Sequence, residues 1–200
     1  GFGGLLEKLV KYRLENPGHD EFYDAEILTV MGVQAWIRNA CYGIEQALLQ
    51  EENPALRENL EQMLECNRWL IEGAPRSLRE ACQWICWFNM APREYNRDGA
   101  GCQLDETLRP YYERDLANGS LTQDEAKYYI ACLLLNDPHY YQLGGLSPEG
   151  KDMVSPFSYL ILEAADWLDS SCNLTVRVHQ GMDKAFLKKS VEYLLSLIHI

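Results

Sequence analysis

Near its C-terminus, after roughly 170 residues that read almost entirely as helix, the chain carries CNLTVRVHQG. Leu174, Val176 and Val178 alternate there with Thr175, Arg177 and His179, the period-two pattern of a β-strand. A strand must pair along its edges, because backbone N–H and C=O groups removed from water need partners. Nothing else in the sequence reads as a strand. The segment 173–179 is therefore expected to pair with chain encoded elsewhere.

The helices are well punctuated. Ser77 with Glu80 and Thr122 with Glu125 have the spacing of capping boxes. Asn53-Pro54 and Ser155-Pro156 each set a capping side chain before a proline at the first helical position, where the missing N–H costs nothing. Asn118-Gly119 ends a helix that begins near Asp105. These signals, with the 3.6-residue spacing of apolar side chains, predict helices at about 3–15, 22–51, 54–72, 77–90, 105–117, 122–135, 156–169 and 183–195. Two irregular stretches stand out, APREYNRDGAGCQ and LNDPHYYQLGGLSPEGKD, both rich in glycine, polar groups and aromatics. Loops of that kind carry function when a rigid scaffold holds them.

Composition narrows the function classes. The 200 residues, 47% of them hydrophobic, suffice for one ordinary domain. With 30 acidic against 18 basic residues the net charge is −12, which argues against nucleic acid or an anionic membrane surface as a partner. No apolar run reaches the ~20 residues of a membrane span. Seven cysteines without framework spacing point to free thiols in a reducing, cytoplasmic setting. Cys82 and Cys86, four apart on a helix, have no second ligand cluster, so no metal is expected.

Local chemistry does not name a reaction. Glu113 and Asp115 lie two apart on a helix and face different sides, so they read as a solvated charged surface rather than an acid–base pair. Gly144-Gly145 and Gly150 read as turns, since no Lys-Ser/Thr opens a helix directly after a strand. His179 closes the strand, where α/β folds place binding groups.

The order of segments is more informative. RSLREACQWICWFNM, then the irregular loop, CQLDETLRPYYERDLANGSLTQDEA, LGGLSPEGKDMVSPFSYLILEA and CNLTVRVH together resemble the large domain of glycyl radical enzymes, the pyruvate formate-lyase-like family. The opening GLLEKLVKYRL and the helix around EILTVMGVQAWIRNAC fit the region upstream. The resemblance covers about 1–195. It implies an α/β fold, a ten-stranded α/β barrel wrapped in helices, of which this chain is an internal fragment with about one barrel strand. Residues 1–194 would belong to that domain. The lack of an initiator Met agrees with a chain that begins mid-protein. The tail Leu195–Ile200, LSLIHI, matches what a transposase sequencing-adapter end encodes in one reading frame, so 195–200 is expected to be adapter-derived.

The resemblance also implies a mechanism. In the family an S-adenosylmethionine iron–sulfur activating enzyme installs a glycyl radical, a barrel cysteine becomes a thiyl radical, and that radical abstracts hydrogen from a small substrate. Both radical residues map beyond Ile200, so no catalytic residue and no bound cofactor are expected here. The parent protein would be a cytoplasmic homodimer. Substrate contacts are expected from Arg97 and Asp98 in EYNRDGAG, and in second place from Arg177 and His179. Cys102-Gln103 stands where the family has Gly-Arg, and Ser155-Pro156 where it has Asn-Glu. These departures leave the subfamily open and allow an inactive relative; the competing class is a free-standing helical interaction protein. Expressed alone, the chain should aggregate through the strand's bare edge and its apolar faces. A soluble monomer that melts cooperatively would contradict the fragment reading.

Overall fold

The computed structural model describes residues 1–94, 102–138, 140–168, 170 and 172–197. These form two compact units, Gly1–Arg76 and Ser77–Ile200.

The first unit is three helices, α1 (Phe2–Glu15), α2 (Asp20–Gln50) and α3 (Pro54–Leu70). Asn53 caps α3, its Oδ1 accepting the Ala55 N–H at 3.0 Å. Val33, Ile37, Cys41, Leu64 and Leu70 make the core. The buried Gln34 donates its amide to the Ile71 carbonyl at 2.7 Å, so its burial is compensated.

The second unit contains α4 (Leu78–Arg93), α5 (Leu104–Ala117), α6 (Gln123–Asn136), β1 (Tyr141–Gly144), α7 (Pro156–Leu168), β2 (Leu174–Arg177) and α8 (Lys184–Leu197). All eight helices fall close to the expected ranges. Ser77 caps α4 by accepting the Glu80 N–H at 3.2 Å, and Thr122 with Glu125 completes a reciprocal capping box on α6. The α5 C-terminus is a Schellman motif: Ser120 N–H reaches Asp115 O at 3.0 Å while Gly119 sits at φ +75°. α4 runs three residues past its expected end at 90, through Pro92. In a last turn proline forfeits a single bond, and Arg93 beyond it ion-pairs with the buried Asp137.

The expectation that the strand has no partner in this chain is corrected. β1 lies within the stretch read as an irregular loop and pairs with β2 in parallel, Tyr141 opposite Leu174 and Gly144 opposite Arg177. Four residues ending on Gly144, with Gly145 directly after, are too few for a periodicity to register, which is why the sequence reads as loop there. Parallel strands need a crossover, and α7 supplies it. The other strand is also shorter than expected, 174–177 rather than 173–179, because His179 turns away to bond Asp152. A second correction concerns Asp115. It is buried rather than solvated, taking the Leu78 N–H on Oδ2 at 2.7 Å and Arg114 on Oδ1.

The two-stranded sheet has unlike faces. Tyr141 and Leu143 are buried, and Leu174 and Val176 pack on the same core with Phe157, Ile161 and Phe186 from α7 and α8. Gln142, Thr175 and Arg177 point the other way and are exposed.

A buried carboxylate joins these layers. Asp105, fully buried in the first turn of α5, accepts the Gly144 N–H at 2.8 Å and the Ser158 hydroxyl at 2.6 Å on Oδ2, and the Glu106 N–H at 3.0 Å on Oδ1. Asp105→Asn puts an NH2 group against one of these donors. In the full-length protein it should lower the opening free energy read from hydrogen exchange at the Gly144 amide by about 2–3 kcal/mol; an unchanged value would contradict the account.

Candidate functional site

The polar residues gather at the C-terminal ends of the parallel strands, where α/β folds present binding groups. The segment preceding α5 reaches this point directly. Gln142 N–H donates to the Cys102 carbonyl at 2.9 Å and Gln103 bridges to Gln142, so Cys102-Gln103 covers the β1 edge opposite β2. Among the four predicted substrate residues, Arg97 and Asp98 lie outside the described residues. They stand only a few positions before Gln103 in the chain.

Arg177 ends β2. Its Nη1 donates to Gln103 Oε1 at 3.0 Å, and Gln103 Nε2 donates to the Gly144 carbonyl at 2.7 Å. The guanidinium lies over Gly145, where a Cβ would come within 2.9 Å of Cζ. At φ +104° that position also suits glycine alone.

His179 lies two residues beyond the ladder, so strand alternation does not fix its direction. Asp152 does. The His179 Nε2 is 3.1 Å from Asp152 Oδ1, while Asp152 Oδ2 accepts the Asp183 N–H at 2.8 Å. The loop after β1 folds back through an antiparallel bridge between Leu146 and Asp152, which brings the carboxylate there. Asp183 in turn accepts the Tyr159 hydroxyl at 2.8 Å and caps α8 through the Ala185 N–H at 2.9 Å. Arg177 and His179 thus end up on separate networks, one anchored to the β1 edge and one to the loop and α8.

Sequence reasoning missed Gln142, Gln103 and Asp152. Gln142 was hidden because β1 was. Gln103 and Asp152 act by meeting residues 74 and 27 positions away, which no local pattern encodes. It also missed the buried group behind the site, where Asp137 Oδ2 accepts the Tyr141 hydroxyl and the Asn89 amide, each at 2.6 Å. Burial pushes the Tyr141 phenol well above its ordinary range, so it stays a donor to Asp137.

Burial likewise raises the Asp105 carboxyl, opposed by the hydrogen bonds from Ser158 and Gly144. It also raises the Cys102 and Cys172 thiols, and takes Cys86 to about 11. Asp152 goes the other way: burial pushes it up, but the Asp183 and Val154 N–H groups and the His179 ring outweigh that and hold it below the usual aspartate range. A cavity of about 470 Å3, lined among others by Tyr112, Ser155, Tyr159, Glu163 and Asp183, contains none of the predicted residues. Among the described residues no group of three or more His, Cys, Asp or Glu side chains could hold a metal ion, and no helix is long and apolar enough to cross a membrane.

Comparison with known proteins bears on what such a sheet end belongs to. The pyruvate formate lyase-like family matches residues 1–198. The chain belongs to this family. Isethionate sulfite-lyase of Nitratidesulfovibrio vulgaris is 23% identical over 196 residues, covering 86% of the chain and 24% of that protein. Trans-4-hydroxy-L-proline dehydratase of Clostridioides difficile is 31% identical over 114 residues, 45% of the chain and 14% of that enzyme. The glycerol-bound B12-independent glycerol dehydratase of Clostridium butyricum superposes with a TM-score of 0.86 at 21% identity, over 96% of the chain and 28% of that structure. The fold is therefore that of the barrel enzymes, and the chain spans about a quarter of the length of the sulfite-lyase and of the glycerol dehydratase.

Asp152 should leave a pH signature. Its folded-state pKa is depressed, so the stability it contributes is present at neutral pH and lost as the pH falls through that depressed value. Asp152→Ala should lower Tm at pH 7, and the gap to wild type should close below the ordinary aspartate range. A gap independent of pH would rule out this linkage.

Proposed function

We propose that this chain supplies part of the substrate-cavity wall of a glycyl radical enzyme, which cleaves a bond in a small polar substrate after hydrogen abstraction by a thiyl radical. The observation that carries the reading is the asymmetry of the β1–β2 sheet. Its helix-covered face is apolar, while the opposite face presents Gln142, Thr175 and Arg177. In a closed barrel one face of every strand turns inward, and with α7 and α8 on the other face this polar row becomes the inner one.

On this reading Arg177 and His179, with Arg97 and Asp98 from the neighbouring segment, contact the substrate. The radical chemistry is supplied by residues beyond this chain and by an S-adenosylmethionine-dependent activating enzyme. The contribution of the residues present is to hold the substrate in one orientation and keep water from it, and radical chemistry needs both. Support comes from relatives whose names describe a sulfite-lyase, dehydratases and a decarboxylase glycyl radical subunit.

The departures from the family pattern are compatible with activity. Ser155 and Ser158 cap one another across the first turn of α7, with Ser155 N–H to Ser158 Oγ at 3.1 Å, and Gln103 is built into the sheet edge. Neither change leaves a local defect.

The test is anaerobic activation of the full-length protein with its activating enzyme and S-adenosylmethionine, followed by electron paramagnetic resonance. A glycyl radical doublet with loss of a small hydroxylated substrate is the expected result. S-adenosylmethionine turnover without a doublet would mark an inactive relative and overturn the proposal.

A further inference from the structure

Asp137 closes α6 and is only 1% exposed. Its Oδ2 accepts the Tyr141 hydroxyl and the Asn89 amide, each at 2.6 Å, and its Oδ1 ion-pairs with Arg93. A buried carboxylate is tolerated where donors replace its water, and these donors come from two places. Asn89 and Arg93, four apart on one helical face, belong to the end of α4, whereas Tyr141 opens β1. One carboxylate therefore fastens the end of a helix to the start of a strand.

Both of the fastened parts bear on the substrate wall. Tyr141 turns its side chain into the core, and the next residue, Gln142, points to the polar face. Where Tyr141 is held, Gln142 is held. Arg93 is the last residue of α4, and the chain that follows carries Arg97 and Asp98. It returns to the sheet at Cys102, whose carbonyl accepts the Gln142 N–H at 2.9 Å. The two ends of that connection are thus referred to neighbouring residues of β1.

The same helix supplies a comparison. The first turn of α4 is also held by a buried carboxylate, Asp115, which accepts the Leu78 N–H at 2.7 Å and pairs with Arg114. Asp115 holds the start of α4, and Asp137 holds its end together with β1.

We infer that Asp137 is a positioning residue for the substrate: through Tyr141 it sets Gln142, and through Arg93 it sets the end of α4 from which the Arg97-Asp98 segment departs. This rests on the cavity-wall reading above and adds to it a residue that touches no substrate itself. If the two carboxylates only stabilised α4, losing either would affect catalysis alike.

The experiment uses activated full-length enzyme with glycerol, 2-hydroxyethanesulfonate and trans-4-hydroxy-L-proline as probes, followed by steady-state kinetics on the one that wild type converts. Asp137→Asn should raise KM by about tenfold with kcat within about twofold, because displaced wall contacts remove binding shared by the ground and transition states. Asp115→Asn should lower Tm yet leave KM within about twofold, a split that a purely structural role would not give. If Asp137→Asn yields too little folded protein, milder variants decide the matter. Tyr141→Phe removes one bond and should raise KM about threefold. Arg93→Lys, which keeps a charge on Asp137, should stay closer to wild type than Arg93→Ala.

A KM indifferent to these variants, or raised equally by Asp115→Asn, would overturn the inference. So would a wild type that neither binds nor converts any of the probes. The two claims fail separately. A normal glycyl radical doublet with an unchanged KM sinks the positioning role and leaves the radical reading standing. If wild type gives no doublet the radical reading falls, and calorimetric binding of the same probes to unactivated protein decides on Asp137, with about tenfold weaker binding expected of Asp137→Asn.

Discussion

The second unit depends on the carboxylate of Asp105. Burying a charge costs several kcal/mol unless hydrogen bonds replace its water, and here three donors from three places do so. One is the first turn of α5, which also favours a negative charge there. The second is the last residue of β1. The third is Ser158 in the first turn of α7. A helix start, a strand end and a crossover helix are thereby set in one register. Gly144 and Arg177 are partners across the ladder, so the same carboxylate fixes the height at which Arg177 emerges.

That arrangement accounts for the division of labour between the two networks at the site. On one side Gln103, placed by the β1 edge, holds Arg177 by a neutral amide. On the other Asp152, placed by a tight loop after β1, ties His179 to the start of α8. Each uses backbone N–H and C=O groups as well as side chains. The segments Cys102-Gln103 and 146–152 at the strand ends are thus each fixed at several points.

The sequence was informative where structure is local. Ser77, Asn53 and Thr122 announced their helices because a cap acts within three residues, and Gly119 ended α5 for the same reason. The order of segments disclosed the family, and the family disclosed the barrel. What stayed hidden was non-local. β1 is four residues that end on the first of a glycine pair, and it becomes a strand because Asn173 O, the β2 backbone and Cys102 O supply its partners. Asp115 looked like one more surface charge, yet it caps the first turn of a helix 37 positions away. Arg177 was found by alternation, but its clamp on Gln103 was not, since a glutamine before a helix has no signature of what it will meet. His179 was placed on the strand by the same alternation and lies beyond it.

The central claim is that the Gln142, Thr175 and Arg177 face of the sheet looks into a substrate cavity. A structure of the full-length protein determined anaerobically with its substrate tests this most directly. The account predicts ligand density against this face, with Arg177 still bonded to Gln103. If other parts of the protein fill that face and the substrate lies against different walls, the account is wrong.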